Sequence, residues 1–144
     1  MNKSRPRVST QLQVMFFDTD CGGVVHNIAY LRFVEIARTL LAEKLGLSLV
    51  KMSKTQQYPV VVRSEIDYRN PARLGDRLVV EGWLDRFERV RFWCGFRIVR
   101  PRDKVLIAEC RQMLALVQMP AGKLQRLPDT WERYRASGLA ERFC

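Results

Sequence analysis

Residues 26–45 carry a helical pattern that is apolar on most of its circumference. Ile28, Tyr30, Leu31, Phe33, Val34, Ile36, Ala37, Leu40 and Leu41 leave only a narrow polar stripe through Arg32, Glu35, Thr39 and Glu43. A helix of this kind is buried on several sides, so the rest of the chain has to wrap around it. His26 or Asn27 is expected to start it. Gly46 is expected to stop it after Leu45, because glycine readily takes the left-handed conformation that ends helices.

Strands supply the wrapping. In residues 11–17, Leu12, Val14 and Phe16 alternate with Gln11, Gln13 and Met15, which predicts a first strand. Residues 58–68, 77–87, 89–100 and 104–118 are long, mostly alternating and rich in Val, Ile, Phe and Trp, as half-buried strands are. The links between them at residues 70–76, 86–88 and 101–103 are short. Short links predict antiparallel neighbours in a meander. The expectation is an α+β fold, one antiparallel sheet curled around one central helix. The tail from Lys123 is polar, and Pro128 opens a short helix through Trp131 and Tyr134 that is expected on the surface. The 144 residues suit a single domain over 1–144, with a core at about 8–128.

Composition narrows the function classes. With 47% apolar and 28% charged residues, the chain reads as folded rather than disordered. It has no apolar run near the ~20 residues that span a bilayer. Residues 1–10 carry Lys3, Arg5 and Arg7 without the apolar stretch of a secretory signal, so a cytoplasmic location is expected. The four cysteines form no CxxC pair, and there is one histidine, so no zinc-ligand spacing can be assembled. Neither metal nor cofactor is expected. The charge of +10 suggests a polyanionic partner. Without a helix-turn-helix, RNP or zinc pattern, nucleic acid is the weaker choice.

The residues between the first strand and the helix can do chemistry. Asp20 precedes Gly22 and Gly23, which let the backbone turn and leave room beside it. Seven residues on, the helix start at Asn27 offers unpaired N–H groups and a positive dipole end, suited to a carbonyl oxygen gaining negative charge. A carboxylate near a carbonyl polarised in this way could attack it or activate a water. The spacing allows acyl transfer without metal or cofactor, although Asp and Asn are also ordinary turn and cap residues.

Phe17-Asp18-Thr19-Asp20-Cys21-Gly22-Gly23-Val24-Val25-His26-Asn27, followed by Tyr30-Leu31-Arg32-Phe33, Glu35 and Ala37-Arg38, closely resembles the signature of the 4-hydroxybenzoyl-CoA thioesterase-like hotdog family. That family includes the acyl-CoA thioesterases associated with the Tol-Pal system. Tyr68, Pro71-Ala72 and Gly75-Asp76 resemble a second family pattern. The resemblance implies a hotdog fold, an acyl-CoA substrate, and homodimers joined edge to edge that pair into homotetramers with active sites at subunit interfaces. It implies that Asp20 is the catalytic carboxylate and that the Asn27 N–H polarises the thioester carbonyl. Many members carry a histidine one residue after the position of His26, where this chain has Asn27.

Gly22, Gly23, Val25 and Tyr30 are the expected substrate contacts around that centre, with His26 as a further catalytic or positioning candidate. Seven basic residues between Arg86 and Lys104 face only Glu88 and Asp103. Arginine binds phosphate in bidentate fashion, so Arg89 and Arg91, with Lys123 or Arg126, are candidates for the nucleotide end of coenzyme A. Asp18 is expected to brace the loop. Glu35 and Arg38, three apart on the helix, are expected to pair with each other or with a partner subunit, in a structural role. A Cys21 nucleophile is disfavoured because no supporting third group is evident. The alternative function is a non-catalytic module that binds acyl-CoA or an acyl carrier protein.

Overall fold

The computed structural model describes residues 5–135. The elements are β1 (Arg7–Gln13), a 3-10 turn (Phe16–Asp18), α1 (Asn27–Lys44), α2 (Leu49–Thr55), β2 (Gln57–Tyr68), β3 (Arg77–Phe87), β4 (Arg91–Arg100), β5 (Val105–Gln118) and β6 (Lys123–Leu124). A second 3-10 turn (Asp129–Trp131) runs into α3 (Glu132–Arg135). All strand pairs are antiparallel, in the order β1-β3-β4-β5-β2, with β6 beside β5. The α+β expectation of one antiparallel sheet holds, and the 18-residue α1 packs on it.

The strands do not form a simple meander. β2 follows the helices and precedes β3, yet it pairs with β5 at the opposite edge. Crossing three strand spacings takes about 14 Å, and the segment between Tyr68 and Arg77 is long enough for that. Its first amides, on Arg69 and Asn70, still donate to the Ile107 carbonyl of β5. Ala72 then passes fully buried beside the start of α1, where it accepts from the Val25 N–H at 2.9 Å.

The first strand ends at Gln13 rather than at residue 17. The Asp18 carboxylate accepts the Met15 N–H at 2.8 Å and draws residues 16–18 into a turn. Phe16 and Phe17 therefore face solvent, at 81% and 68% exposure, and apolar alternation alone does not register this competition.

α1 matches its expected span, and Gly46 stops it at φ 87°. Ala29, Tyr30, Phe33, Val34, Ala37 and Leu41 are buried in one core with Leu78, Val80, Leu84, Phe96, Ile98, Leu114 and Leu116. Ile28, Leu31, Ile36 and Leu40 stay exposed. The wrapping expected from the apolar circumference is thus one-sided within a single chain.

Two further elements depart from expectation. α2 was not anticipated, because its seven residues are too few to show a period. Ser48 caps it by accepting the Lys51 N–H at 3.1 Å. The tail is not confined to the surface: Trp131 and Tyr134 are buried, and Trp131 packs edge-on against Phe87 and Phe92. Among the described residues, no helix is long and apolar enough to cross a membrane.

Candidate active site

The segment from Asp18 to Asn27 is a compact loop held at three points. Asp18 is 2% exposed. It accepts from Met15 N–H, and it forms an ion pair with Arg32 one turn into α1. The His26 N–H donates to the Asp18 carbonyl at 3.0 Å and the Val25 N–H to Ala72, while Thr19 and Val25 form a bridge. Asp18 is thus the brace that its sequence position suggested, and Arg32 is its unanticipated partner.

Within this frame the tip turns tightly. Asp20 N–H donates to Val24 O and Gly23 N–H to Asp20 O. Gly23 sits at φ 77°, a conformation that L side chains rarely adopt. Asp20 is exposed. Its Oδ1 accepts the Gly22 N–H at 2.8 Å.

His26 is the N-cap of α1, its Nδ1 accepting the Ala29 N–H at 3.1 Å. That bond requires Nδ1 to be unprotonated and leaves Nε2 free of the cap. Asn27 is the first helical residue, and an amide in that position has no intrahelical acceptor. A cleft of about 330 Å³ opens beside it, lined by Val25, Asn27, Tyr30, Tyr68, Arg69, Asn70 and Pro71. The Tyr68 hydroxyl donates to the Asn27 carbonyl at 3.3 Å. Tyr30 accepts the Ala72 N–H through its hydroxyl, and burial pushes its phenol above the ordinary range.

The fold therefore brings Asn27, Val25 and Tyr30 into one cleft wall, with Asp20, Gly22 and Gly23 on the adjoining loop outside it. Tyr68, Arg69 and Asn70 were not singled out as site residues. Their signal is the run from Tyr68 to Asp76, which resembles a second family pattern. Asp76 anchors this second loop, since its Oδ2 accepts the Arg73 N–H and the Arg100 guanidinium, both at 2.9 Å.

The basic candidates fall elsewhere in the same chain. Arg89 and Arg91 stand at the β3–β4 turn, while the loop near Asn27 joins the start of β3 through Val14 and Asp76. The eleven residues of β3 put about 36 Å between these ends. Lys123 lies in β6 and Arg126 just beyond it. Glu35 and Arg38 pair at 3.3 Å, as their spacing predicted. Cys21 is exposed, and Cys94 and Cys110 are buried. Burial pushes the Cys94 thiol far up and that of Cys110 up to about 11. Cys144 lies outside the described residues.

Comparison with known proteins agrees with this architecture. The model of the thioesterase-like superfamily matches residues 14–137. A putative acyl-CoA thioesterase of Bacillus subtilis, YneP, is 29% identical over 67% of this chain and 70% of its own length. A 1,4-dihydroxy-2-naphthoyl-CoA hydrolase of Synechocystis is 28% identical over 83% of this chain and 88% of its own. The crystal structure of Slr0204, a 1,4-dihydroxy-2-naphthoyl-CoA thioesterase from Synechocystis, superposes with a TM-score of 0.79. It is 27% identical and covers 90% of this chain and 96% of that one. With a family match across most of its length and a shared hotdog arrangement, this chain belongs to the thioesterase-like superfamily.

Proposed function

We propose that the protein is an acyl-CoA thioesterase, hydrolysing an acyl-CoA to the free acid and coenzyme A. The observation that carries this reading is Asn27, the first residue of α1, in the lining of the cleft beside the Asp20 loop. A thioester oxygen received there would gain charge against an unpaired N–H and the positive end of an 18-residue helix. Names among the relatives support the substrate class.

Asp20 supplies the reactive carboxylate on this reading, by one of two routes. It attacks the carbonyl carbon, the C–S bond breaks, coenzyme A leaves as thiolate, and water hydrolyses the mixed anhydride. Alternatively it takes a proton from a water that attacks directly, and the tetrahedral intermediate expels the same thiolate. Gly22 and Gly23 give the acyl-CoA room to approach. His26 acts chiefly as the cap that fixes the direction of the Asn27 N–H.

Assembly completes the proposal. β2 is a twelve-residue strand at one edge of the sheet, with Val60, Val61 and Val62 exposed at 40%, 42% and 53%. A bare apolar edge invites pairing. Two copies joined antiparallel through β2 would set the Pro59 end of one against the Tyr68 end of the other. Leu116, which pairs with Pro59, also donates its N–H to the Val90 carbonyl at 3.2 Å, so the turn with Arg89 and Arg91 sits at the Pro59 end. Such a homodimer, the unit of the proposed homotetramer, would carry both arginines toward the partner's Asn27 cleft, where they suit the phosphates of coenzyme A.

The test is thiol release across an acyl-CoA panel with Asp20→Asn as the control. The expected outcome is a fall in kcat of at least about 100-fold with unfolding stability within about 0.5 kcal/mol of wild type, as for an exposed side chain. Unchanged turnover in the variant would remove Asp20 from the chemistry. Acyl-CoA binding without thiol release would favour the non-catalytic module instead.

A further inference from the structure

Residues of α1 and β2 line two separate openings. One is the cleft at Asn27, Tyr30 and Tyr68. The other, about 260 Å³, is lined by Glu35, Arg38, Thr39 and Ala42 of α1, Leu49 and Met52 of α2, and Tyr58 and Pro59 of β2. Arg38 stands at this second opening with its side chain only 23% exposed.

The shortest hydrogen bond of that guanidinium is to a neutral group. Nη1 donates to Oε1 of Gln112 at 2.7 Å, and Gln112 is 3% exposed. Gln112 in turn donates to the Ser64 hydroxyl at 3.0 Å. Cys94 and Cys110, which also feel the Arg38 charge, are neutral thiols because burial pushes both upward. Among the described residues, the one carboxylate ion-paired with Arg38 is Glu35, at 3.3 Å and 64% exposed, while Asp85 and Glu65 act on the same two thiols from further off. A solvated partner at that distance neutralises a half-buried cation weakly. The inner walls thus present amide, hydroxyl and thiol groups around a cation that an oxygen anion would satisfy better.

Resting on the thioesterase reading, we propose that Arg38, oriented by Gln112 and Ser64, is the specificity-determining residue for the far end of the acyl group. It selects acyl-CoA substrates with a terminal oxygen acceptor, a carboxylate or a hydroxyl. Asn27 and Arg38 are separated by a helical rise of about 16 Å, and the Arg38 side chain leans back toward the helix start. On this proposal the acyl group runs along α1 from one opening to the other, which suits one about eight carbons long, or an aromatic group of similar reach, with its carbonyl at Asn27 and its polar end at Arg38. Glu35 gives way to the incoming acceptor.

The experiment compares octanoyl-CoA with its analogue bearing a terminal carboxylate, in wild type, Arg38→Gln and Arg38→Lys. The quantity read is the ratio of kcat/KM between the two substrates. Wild type is expected to favour the carboxylated substrate by about tenfold or more. Arg38→Gln should bring the ratio near one, and Arg38→Lys should retain part of the preference because it keeps the charge. A wild-type ratio near one, or a ratio unchanged in Arg38→Gln while both substrates slow equally, overturns the proposal and leaves Arg38 a structural group. Should wild type cleave neither substrate, the acyl-CoA panel decides the thioesterase reading separately. The same pair is then compared as ligands by thermal shift, where equal stabilisation of wild type and Arg38→Gln by the carboxylated ligand overturns the Arg38 assignment.

Discussion

The indole N–H of Trp131 donates to the Leu45 carbonyl at 2.9 Å, tying the segment after the sheet to the last turn of α1. The bond satisfies an end-of-helix carbonyl inside the core, where an orphan acceptor is costly. Replacing Trp131 with Phe should cost about 1–3 kcal/mol through the lost partner. Replacing it with Ala should cost about 3–5 kcal/mol, because the cavity against Phe87 and Phe92 is added. Urea unfolding at neutral pH measures both.

His26 can be separated into cap and chemistry by choice of substituent. His26→Ala should lower stability by about 0.5–2 kcal/mol, since the Ala29 N–H loses its side-chain acceptor and keeps only the residue-26 carbonyl. Serine is a strong N-cap residue, so His26→Ser should recover most of that stability and most of the turnover. Recovery of stability without turnover would instead give the imidazole a contact with substrate.

Asp76 should show in the acid limb of stability. Burial alone would raise its carboxyl, but the Arg73 N–H and the Arg100 guanidinium outweigh that and hold it below the ordinary carboxylate range. A folded pKa lower than the unfolded one, about 3.9, stabilises at pH values above the unfolded pKa. The gain is lost as pH falls through the folded pKa. Asp76→Asn is therefore expected to be less stable than wild type at pH 7, with the gap closing below about pH 4. Asp85 has the opposite sign, because burial raises it despite Arg5, Arg111 and Arg86. The difference between wild type and variant, rather than the wild-type curve, isolates Asp76.

Gly95 makes room for a tryptophan laid across the outer face of the sheet. A Cβ at Gly95 would stand 2.5 Å from Trp83 Cε2, closer than packing allows. Gly95→Ala should destabilise by about 1–3 kcal/mol through overpacking. Adding Trp83→Leu should make the second change partly compensating rather than additive, which a double-mutant cycle in denaturant resolves.

Sequence made most of the elements visible and little of their arrangement. β3 appears at its expected residues, and β2, β4 and β5 lie within two residues of theirs, because Val, Ile, Phe and Trp alternate across one buried face. The position of β2 at the far edge depends on the path of residues 69–76, and pairing order leaves no periodic trace. Phe16 and Phe17 look like strand until the Asp18 carboxylate takes the Met15 amide. In the candidate site, Asp20, the glycines and Asn27 were legible as motif. Tyr68 and Arg69 enter the cleft through a distant part of the chain. Exposed Ile28, Leu31, Ile36 and Leu40 mark where reading one chain as self-sufficient misjudges an apolar helix.

If the Asn27 amide does polarise the substrate, this protein entrusts its electrophile to a group that every residue except proline possesses. Mutational drift at position 27 would then be nearly silent for that step, whichever side chain appears. The vulnerable inheritance lies one residue earlier, in a cap that sets where the helix begins. An enzyme of this design would lose activity through a shifted helix start sooner than through an altered residue at the start itself.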